Sequence, residues 1–370
     1  MADSALGRLR ILDFSRVLAG PLATMTLADL GAEVTKVERP GSGDDTRSWG
    51  PPHDAEGEAT YFQAVNRNKR SLALDLADPG DRAEARRLAL ASDVVVENFR
   101  PGVMAKLDLD YEALASENPG LVYCSITGFG GSGPGAELPG YDLLVQALGG
   151  LMSITGEPDG EPLKVGVALV DVIAGLFAAV GILAALEHRR ESGEGQLVEV
   201  DLLSALLAGL VNQSSAFTVA GVTPGRMGNR HPSIAPYELL RCGGGEIVLA
   251  VGNDRQFRDL CAVLGVDLAD EERFATNPAR VENRDELRPY LEQALAARPA
   301  AEWVELLGRR RVPAGVVNDV GAAFEFADRL GLDPIVEIPH EDGGAVRLPR
   351  SPIRLSKTPA SYRLPPPRLP

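Results

Sequence analysis

A single carboxylate interrupts an otherwise apolar stretch near the middle of the chain. From Val165 to Leu186, every residue except Asp171 is apolar or glycine. One interpretation is structural: Asp171 caps a buried helix and accepts hydrogen bonds from the amide of Ala174 or its neighbours. The other is chemical, because a carboxylate that has lost most of its water at a helix start can act as a nucleophile. The residues alone leave both interpretations open.

Basic residues gather at the ends of predicted strands. The run NRNKRS (66–71) places Arg67, Lys69 and Arg70 together in an otherwise acidic chain. Others lie just past strands or at the start of turns: Arg39, Arg100 and Lys106. Loops at the carboxyl ends of parallel strands are where α/β sheets bind ligands. Collectively these residues predict a phosphate-bearing ligand, whereas each one alone is equally compatible with a solvated charge.

A glycine-rich run also follows a predicted strand. GFGGSG (128–133) fits the dinucleotide-binding pattern G-x-G-x-x-G. Pro134 and Gly135 come next, so no helix begins at the third glycine to point its amides at a diphosphate. We therefore predict a glycine loop near a site, or a long turn, and no nicotinamide cofactor.

The composition argues against several classes of function. The net charge of −15 disfavours nucleic acid and anionic membrane surfaces as partners. The four histidines lack metal-binding spacing, so no metal site is predicted. Three cysteines without a CxxC pair, and an N-terminus without the plan of a signal peptide, predict a cytoplasmic protein.

The apolar stretch around Asp171 is long enough to suggest a membrane span. An Asp near the centre of a spanning helix costs about 2.5–3.5 kcal/mol, although Asp171 lies nearer one end. No other segment is nearly as apolar. We therefore predict a helix from Val172 to Leu186 that is buried in a core or at a subunit interface.

Short apolar runs alternate with helical patterns along the first half. This alternation predicts a parallel sheet with helices on its faces, and hence an α/β fold. Strands are predicted at 8–14, 33–38, 71–76, 93–99 and 121–127, and helices at 21–32, 79–92 and 111–118. A hairpin turning at Gly243–Gly245, three helical patterns and a strand at 312–318 predict a smaller α+β domain. The predicted boundaries are 1–205 for the large domain, 206–236 for a linker and active-site loop, and 237–334 for the small domain.

The chain resembles a known family in seven blocks that occur in order with similar spacing. The resemblance runs from about residue 8 to residue 358, and the family is that of the class III CoA-transferases. Formyl-CoA and carnitine CoA-transferases belong to it, and α-methylacyl-CoA racemases are its relatives. The blocks are LDFSRVLAGP (12–21), GAEVTKVERPGSGDDTR (31–47), NRNKRSLALDL (66–76), VVVENFRPG (94–102), PGYDLLVQALGGLMSITG (139–156), VGVALVDVIAG (166–175) and SGEGQLVEVDLL (192–203).

The resemblance implies a fold and an assembly. It implies a Rossmann-like large domain that segment 335–370 returns to complete, and two chains interlocked as a ring-like homodimer. Relatives usually continue beyond the final RLPPPRLP with another helix, so some packing on the large domain is expected to be missing.

The resemblance also implies site residues. Asp171 falls on the family's catalytic aspartate, while Tyr141 and Asp142 match a pair near the acyl group. Positions matching the family's contacts to coenzyme A are Val17, Arg39, Leu74, Asn98, Phe99 and Lys106. No tightly bound cofactor is expected, since CoA and acyl-CoA are substrates.

The chemistry implied is CoA transfer through Asp171. The carboxylate attacks an acyl-CoA thioester, which gives an aspartyl mixed anhydride and then an aspartyl-CoA thioester. The acceptor carboxylate then receives CoA from this thioester by the reverse steps. Apolar surroundings protect the anhydride from water. Candidate donors to the oxyanion are amides of Gly130–Gly133 or of Gly228 and Asn229.

Two alternatives and the choice of acid remain open. Racemase relatives have a histidine where this chain has Tyr141, which disfavours the racemase alternative; a CoA-binding protein without turnover is the other. Formyl-type members have Gln where this chain has Leu18, which argues against formate and oxalate. The segment 228–253 resembles members acting on dicarboxylates such as succinate and glutarate, whose distal carboxylate could meet Arg226, Arg230 or His231.

Overall fold

Six parallel strands form the sheet that positions the predicted site residues. The computed structural model describes residues 4–341 and 343–370, and its chain divides into two units. The first comprises Met1–Leu151, Lys164–Val222 and Asp333–Pro370. Its parallel strands are β1 (Arg10–Asp13), β2 (Glu33–Glu38), β3 (Lys69–Ala73), β4 (Val94–Glu97), β5 (Val122–Thr127) and β6 (Leu197–Asp201).

The strand order is β3-β2-β1-β4-β5-β6. This order is the one found in Rossmann-type sheets, and it reverses between β1 and β4. The loops after these two strands therefore run to opposite sides and leave a crevice at their carboxyl ends, where open α/β sheets bind ligands. The predicted α/β class is confirmed, and the strand order selects the crevice between β1 and β4 as the place to search for a site.

Helices cover both faces of this sheet. Buried side chains of β1 and β4, such as Leu12 and Val95, join one core cluster with Ala85, Met104 and Leu114 from helices on that face. Alternate residues of a strand point to the opposite face, where the first and seventh helices pack. The helices are α1 (Ala19–Asp29), α2 (Thr60–Ala64), α3 (Pro79–Leu90), α4 (Val103–Lys106), α5 (Tyr111–Ala115), α6 (Asp142–Leu148), α7 (Leu169–Ser192), α8 (Leu202–Gly209) and α9 (Asn212–Ala220).

Helix α7 packs closely against the start of α1. A Cβ atom added at Gly175 would lie 2.5 Å from the carbonyl oxygen of Ala19, so only glycine permits this approach. Asp171, one turn earlier, is thereby brought beside Leu18 and Ala19 at the carboxyl end of β1. The contact places the predicted nucleophile at the crevice.

Helix α7 is also apolar and long enough to cross a membrane, judged by length and composition alone. A core helix meets the same criteria, and Val170, Ala174, Ala178 and Ile182 on one side of α7 are buried within the first unit. The helices α8 and α9 pass the same test as a pair, but they are bent by 87°.

The second unit comprises Met152–Leu163 and Thr223–Leu332. It contains an antiparallel sheet of β7 (Tyr237–Cys242), β8 (Gly245–Ala250) and β9 (Ala314–Gly315). The predicted hairpin at Gly243–Gly245 is confirmed. The helices of this unit are α10 (Asp254–Leu264), α11 (Asn277–Glu282), α12 (Arg284–Leu295), α13 (Ala300–Arg309) and α14 (Val320–Arg329).

The final segment of the chain returns to the first unit. It forms the antiparallel hairpin of β10 (Ile335–Pro339) and β11 (Ala345–Pro349). The tail then packs near α1, where the guanidinium of Arg363 donates to the carbonyls of Ala28 and Ala32 at 3.0 and 2.9 Å.

The unit boundaries differ from the predicted domain boundaries in two places. Residues 206–222 of the predicted linker 206–236 belong to the first unit, because 212–220 form α9 rather than a loop. Residues 152–163, predicted within the large domain, belong to the second unit. Hydrogen bonds hold them there: Gly228 N donates to Gly156 O at 3.0 Å, and Arg226 Nε donates to Glu157 O at 3.1 Å.

Candidate active site

A cavity of about 270 Å³ opens in the first unit at the carboxyl ends of β1, β4 and β5. It lies at the crevice where the strand order reverses. Seven of the predicted site residues line it: Val17, Leu18, Asn98, Phe99, Tyr141, Asp142 and Asp171. The fold therefore brings together residues that lie as far apart as 17 and 171 in the sequence.

A second cavity of about 250 Å³ adjoins the first. Its lining includes Arg39 and Leu74, both predicted to contact CoA, and it shares Arg16 and Phe99 with the first cavity. Lys106 lines neither cavity; it is exposed on α4, beside Leu107 of the second cavity. Together the two cavities form one cleft, which is lined by nine of the ten matched residues of the first unit, all except Lys106.

Asp171 does not cap α7, contrary to the structural interpretation of the sequence. The helix begins at Leu169, two residues before it, and its amides are capped from another element. Asp142 Oδ1 accepts hydrogen bonds from Val170 N at 2.8 Å and from Asp171 N at 3.4 Å. The carboxylate of Asp171 has no hydrogen bond among the described residues and faces the first cavity. Sequence periodicity could not reveal this, because the capping residue comes from α6.

The environment of Asp171 favours a protonated carboxyl group more than water does. Burial, and next the negative charge of Asp142, raise the pKa of Asp171 from its usual 3.8 to about 7. The hydrogen bonds from helix amides that would favour a charged Asp171 are absent among the described residues, because Asp142 accepts from the amides of Val170 and Asp171 instead. The result is a carboxylate that is more basic than an ordinary aspartate and available near neutral pH.

Helix α6 braces the segment that carries Asp171. Gln146 Nε2 donates to Asp142 Oδ2 at 2.5 Å, and Gln146 Oε1 accepts from Val165 N at 2.9 Å. The loop leading to α6 is held by a close backbone approach, since a Cβ added at Gly128 would lie 2.4 Å from Gly140 Cα. The neighbouring Tyr141 remains 64% exposed.

The loop after β1 is fixed from two sides. Asn98 clamps it, accepting from Arg16 N and donating to Arg16 O, both at 2.8 Å. Val17 has a positive φ of 68°, a strained conformation for a β-branched residue, and its amide faces the carboxylate of Asp44 at 3.3 Å. Buried Lys36 in turn pairs with Asp44 at 2.9 Å.

The basic cluster at 66–71 does not form the predicted ligand site. Arg67 pairs with Asp29 at 2.5 Å and Lys69 pairs with Asp13 at 3.0 Å, all four side chains being buried, while Arg70 is exposed on β3. Burial lowers the pKa of Lys69 to about 8 despite the opposing charge of Asp13. Burial by itself would raise the pKa of Asp13. The neighbouring positive charges, of which Lys69 has the largest effect, lower it to about 2. Arg67 and Lys69 therefore pair with buried carboxylates inside the fold, and neither lines the two cavities.

Two residues of the site escaped the sequence prediction. Arg16 lines both cavities, and its position inside LDFSRVLAGP, directly after the first strand, was the available signal. Tyr61 on α2 packs edge-on to Trp49 with ring centroids 5.3 Å apart. Tyr61 belongs to the same apolar cluster as Ala168 and Val172, which flank the start of α7. Burial, followed by the charges of Asp171 and Asp142, raises its pKa. No sequence pattern marked Tyr61.

The remaining predicted residues belong to the second unit. Gly228, Asn229 and His231 lie in the segment before β7, where His231 Nδ1 accepts from Ser233 N at 3.1 Å. The two arginines suggested as partners of a distal carboxylate already have partners. Arg226 donates to carbonyls of the 157–160 turn, and Arg230 pairs with Asp285 at 2.7 Å.

The glycine loop 128–133 contains only a short 3-10 turn, Gly133–Gly135, as expected for a run that is not a dinucleotide fingerprint. Gly130 N donates to Thr127 Oγ1 at 3.1 Å, so this amide is already used within the loop. Within residues 4–341 and 343–370, no group of three or more His, Cys, Asp or Glu side chains is placed to hold a metal ion. The chemical group that the cavity presents is the basic, partly desolvated carboxylate of Asp171.

Comparison with known proteins decides the family. The family model described as "CoA-transferase family III" matches residues 6–370. This chain belongs to CoA-transferase family III. Its sequence is 45% identical to a succinate–glutarate CoA-transferase of Agrobacterium fabrum, over 98% of this chain and 92% of that protein. It is 40% identical to an acetyl-CoA:oxalate CoA-transferase of Acetobacter aceti, over 94% of this chain and 88% of that protein.

The fold of this family III CoA-transferase has a close counterpart among solved structures. The crystal structure of a CaiB/BaiF family protein from Brucella suis is 43% identical in sequence and matches with a TM-score of 0.88. The match covers 99% of this chain and 97% of that one. The predicted family and the prediction of an enzyme that transfers CoA are confirmed.

Proposed function

We propose that this CoA-transferase moves CoA from succinyl-CoA, or a similar acyl-CoA, to a dicarboxylic acid, with Asp171 as the covalent nucleophile. The observation that carries the proposal is the position of Asp171. Its carboxylate faces a cavity without a hydrogen-bond partner among the described side chains, and its pKa is raised to about 7. A carboxylate that is more basic and less solvated attacks a thioester more readily.

The first half of the reaction frees the donor acid. A carboxylate oxygen of Asp171 attacks the thioester carbonyl, the C–S bond breaks, and CoA leaves as a thiolate. The products are an aspartyl mixed anhydride and the bound thiolate. The thiolate then attacks the carbonyl carbon of Asp171, which releases the donor as its carboxylate and leaves an aspartyl-CoA thioester.

The second half repeats these steps in reverse order. The acceptor carboxylate attacks the aspartyl-CoA thioester, expels CoA thiolate, and forms a second mixed anhydride. The thiolate attacks the acyl carbon of the acceptor, so that the new acyl-CoA leaves and the Asp171 carboxylate is restored. No net proton is consumed. Water must be excluded while an anhydride exists, since hydrolysis would waste the thioester.

Asp142 supports this cycle from the adjacent helix. Its charge raises the pKa of Asp171, and its hydrogen bonds to the amides of Val170 and Asp171 fix the start of α7. The nucleophile is therefore held by its backbone, and its side chain stays available for acylation. This arrangement suits repeated formation and breakdown of acyl derivatives on one carboxyl group.

The names of relatives support a dicarboxylate as one substrate. The relatives from Agrobacterium fabrum and Acetobacter aceti are named for glutarate and oxalate, which are both dicarboxylic acids, although their donors differ. Leu18, a Gln in formyl-type members, lines the cavity beside Asp171 and keeps this wall apolar. We propose succinyl-CoA as the donor because the relative named for succinate and glutarate is 45% identical to this chain, whereas the relative named for acetyl-CoA and oxalate is 40% identical.

The decisive experiment traps the covalent intermediate. The protein is incubated with succinyl-CoA, treated with hydroxylamine or borohydride, digested, and examined by mass spectrometry. We expect modification of the peptide containing Asp171. Asp171→Asn should abolish both the modification and CoA transfer, whereas Asp78→Asn, which replaces an exposed helix cap in α3 by another good cap, should retain both.

Two outcomes would contradict the proposal. Exchange of the substrate α-proton for deuterium without modification of Asp171 would indicate a racemase. Full CoA transfer by Asp171→Asn would exclude the covalent route through this residue.

We also propose a cytoplasmic homodimer of interlocked chains. Large apolar side chains on the outer side of α7 are exposed within one chain, among them Leu176, Phe177 and Val180 at 49%, 46% and 62%. Such a surface suits burial against a second copy. Light scattering at micromolar concentration should give twice the chain mass of 39.2 kDa. A monomer under these conditions would contradict the dimer.

A further inference from the structure

Arg16 lies at the centre of the cleft, and its guanidinium forms no ion pair with any carboxylate that the structure describes. Its side chain lines both cavities and is half-buried. Its guanidinium lies 4.7 Å from the ring centroid of Phe99, and no hydrogen bond or ion pair to that guanidinium occurs among the residues that the structure describes. A partly buried charge without a partner is unfavourable. The cleft is therefore suited to an anion that the protein itself does not supply.

The acidic residues near Arg16 already form ion pairs with other cations. Asp44 is buried and pairs with Lys36 at 2.9 Å, while Asp45 pairs with Arg39. The charge of Arg39, which faces the second cavity, is therefore partly compensated by Asp45. Burial, and next the positive charge of Arg39, lower the pKa of Arg16. An anion arriving between the two cavities would relieve the repulsion between these guanidinium groups.

The backbone of Arg16 is fixed for such a role. Asn98 holds both its amide and its carbonyl at 2.8 Å, and the ring of Phe99 supports the guanidinium plane. A prepositioned guanidinium loses little entropy on binding and matches the oxygen atoms of a phosphate with two parallel hydrogen bonds. The geometry therefore favours a phosphate over a diffuse negative charge.

We propose that Arg16 binds the diphosphate of CoA at the junction of the two cavities. The adenosine end then lies in the cavity of Arg39 and Leu74, and the pantetheine arm runs past Val17 to bring the thioester to Asp171. The proposal rests on the proposed function in that CoA is taken as the substrate. Arg16 also lines the cavity of Arg39 and Leu74, which Asp171 does not line, and this position favours a phosphate of CoA over the acyl group as its partner.

Three thioester substrates that differ in their phosphate groups distinguish recognition of the phosphate from recognition of the rest of the substrate. Wild-type protein, Arg16→Gln and the exposed control Arg8→Gln are assayed with succinyl-CoA, succinyl-4′-phosphopantetheine and succinyl-pantetheine. We expect Arg16→Gln to lower kcat/KM for the two phosphorylated substrates by about 10- to 100-fold. With succinyl-pantetheine it should differ from wild type by less than about twofold, since that substrate offers Arg16 no anion. Arg16→Lys should fall between, because it keeps the charge but loses the bidentate geometry.

Equal losses with all three substrates would overturn the proposal, because Arg16 would then act on the acyl part or on folding. Calorimetry with CoA alone measures binding without turnover, so it tests the role of Arg16 even if the proposed transferase mechanism is wrong. The dissociation constant of CoA should rise about 10- to 100-fold in Arg16→Gln and stay unchanged in Arg8→Gln. An unchanged constant in Arg16→Gln overturns the proposal. Arg16-dependent binding without acylation of Asp171 would support it while contradicting the transferase mechanism.

Discussion

Asp171 should make the folded protein less stable as the pH rises, and replacing it by asparagine should remove that effect. The folded chain holds the proton of Asp171 up to about pH 7, whereas the unfolded chain releases it near the usual pKa of 3.8. Between these two values the folded state binds more protons than the unfolded state. The free energy of unfolding contributed by this group is therefore lost as the pH rises through this interval.

The magnitude follows from the two pKa values. One pKa unit corresponds to about 1.4 kcal/mol, so the difference between 3.8 and about 7 gives about 4 kcal/mol. Asp171 is half-buried and faces a cavity, so solvent screening reduces this figure, and we expect about 2–4 kcal/mol. The advantage of Asp171→Asn over wild type should grow by that amount between about pH 4 and pH 8.

Urea unfolding of both proteins at several pH values, at one fixed protein concentration, measures the effect. Only the difference between the two curves matters, because all other titrating groups are common to both. Glu246→Gln, on the exposed side of β8, controls for the loss of one negative charge. Parallel stability curves for wild type and Asp171→Asn from pH 4 to pH 8 would refute the raised pKa and, with it, the account of a basic nucleophile.

The remaining predictions concern the helices that position Asp171 and a matched control. Asp142→Asn removes the like charge, so the pKa of Asp171 should fall and the acid limb of the kcat/KM profile should move to lower pH; an unmoved limb would contradict this origin of the shift. Gly175→Ala should force α7 away from Ala19 and cost about 1–3 kcal/mol in thermal unfolding, whereas Gly308→Ala, in open space on α13, should cost nothing. Equal melting temperatures of the two glycine variants would contradict the close approach.

The elements of the fold could be predicted from local patterns. Strand β2 was predicted with its observed bounds, and α3 to within two residues, because each depends on the periodicity of its own side chains. The helix around Asp171 was predicted to start later than it does. Local pattern alone could not show that Leu169 and Val170 are helical, since the residue that caps their amides is Asp142 in α6.

The site was predictable where a residue's role depends on its own type and motif. Asp171 is marked by its chemistry in an apolar segment, and seven matched residues meet in one cavity. The cluster at Arg67 and Lys69 shows the limit of this approach. A cation at a strand end looks alike whether it faces a ligand or a buried carboxylate, and only the packing of Asp29 and Asp13 against these side chains decides between them.

The sequence by itself determined the α/β class, the choice of Asp171 as the candidate nucleophile and the approximate course of the chain, because periodicity and residue chemistry are local properties. Only the tertiary structure decided the strand order, the crevice between β1 and β4, the raised pKa of Asp171 and the position of Arg16, which has no ion-pair partner in the described part of the chain. These properties depend on groups far apart in the chain, since electrostatic interaction and burial follow distance in space rather than separation in sequence.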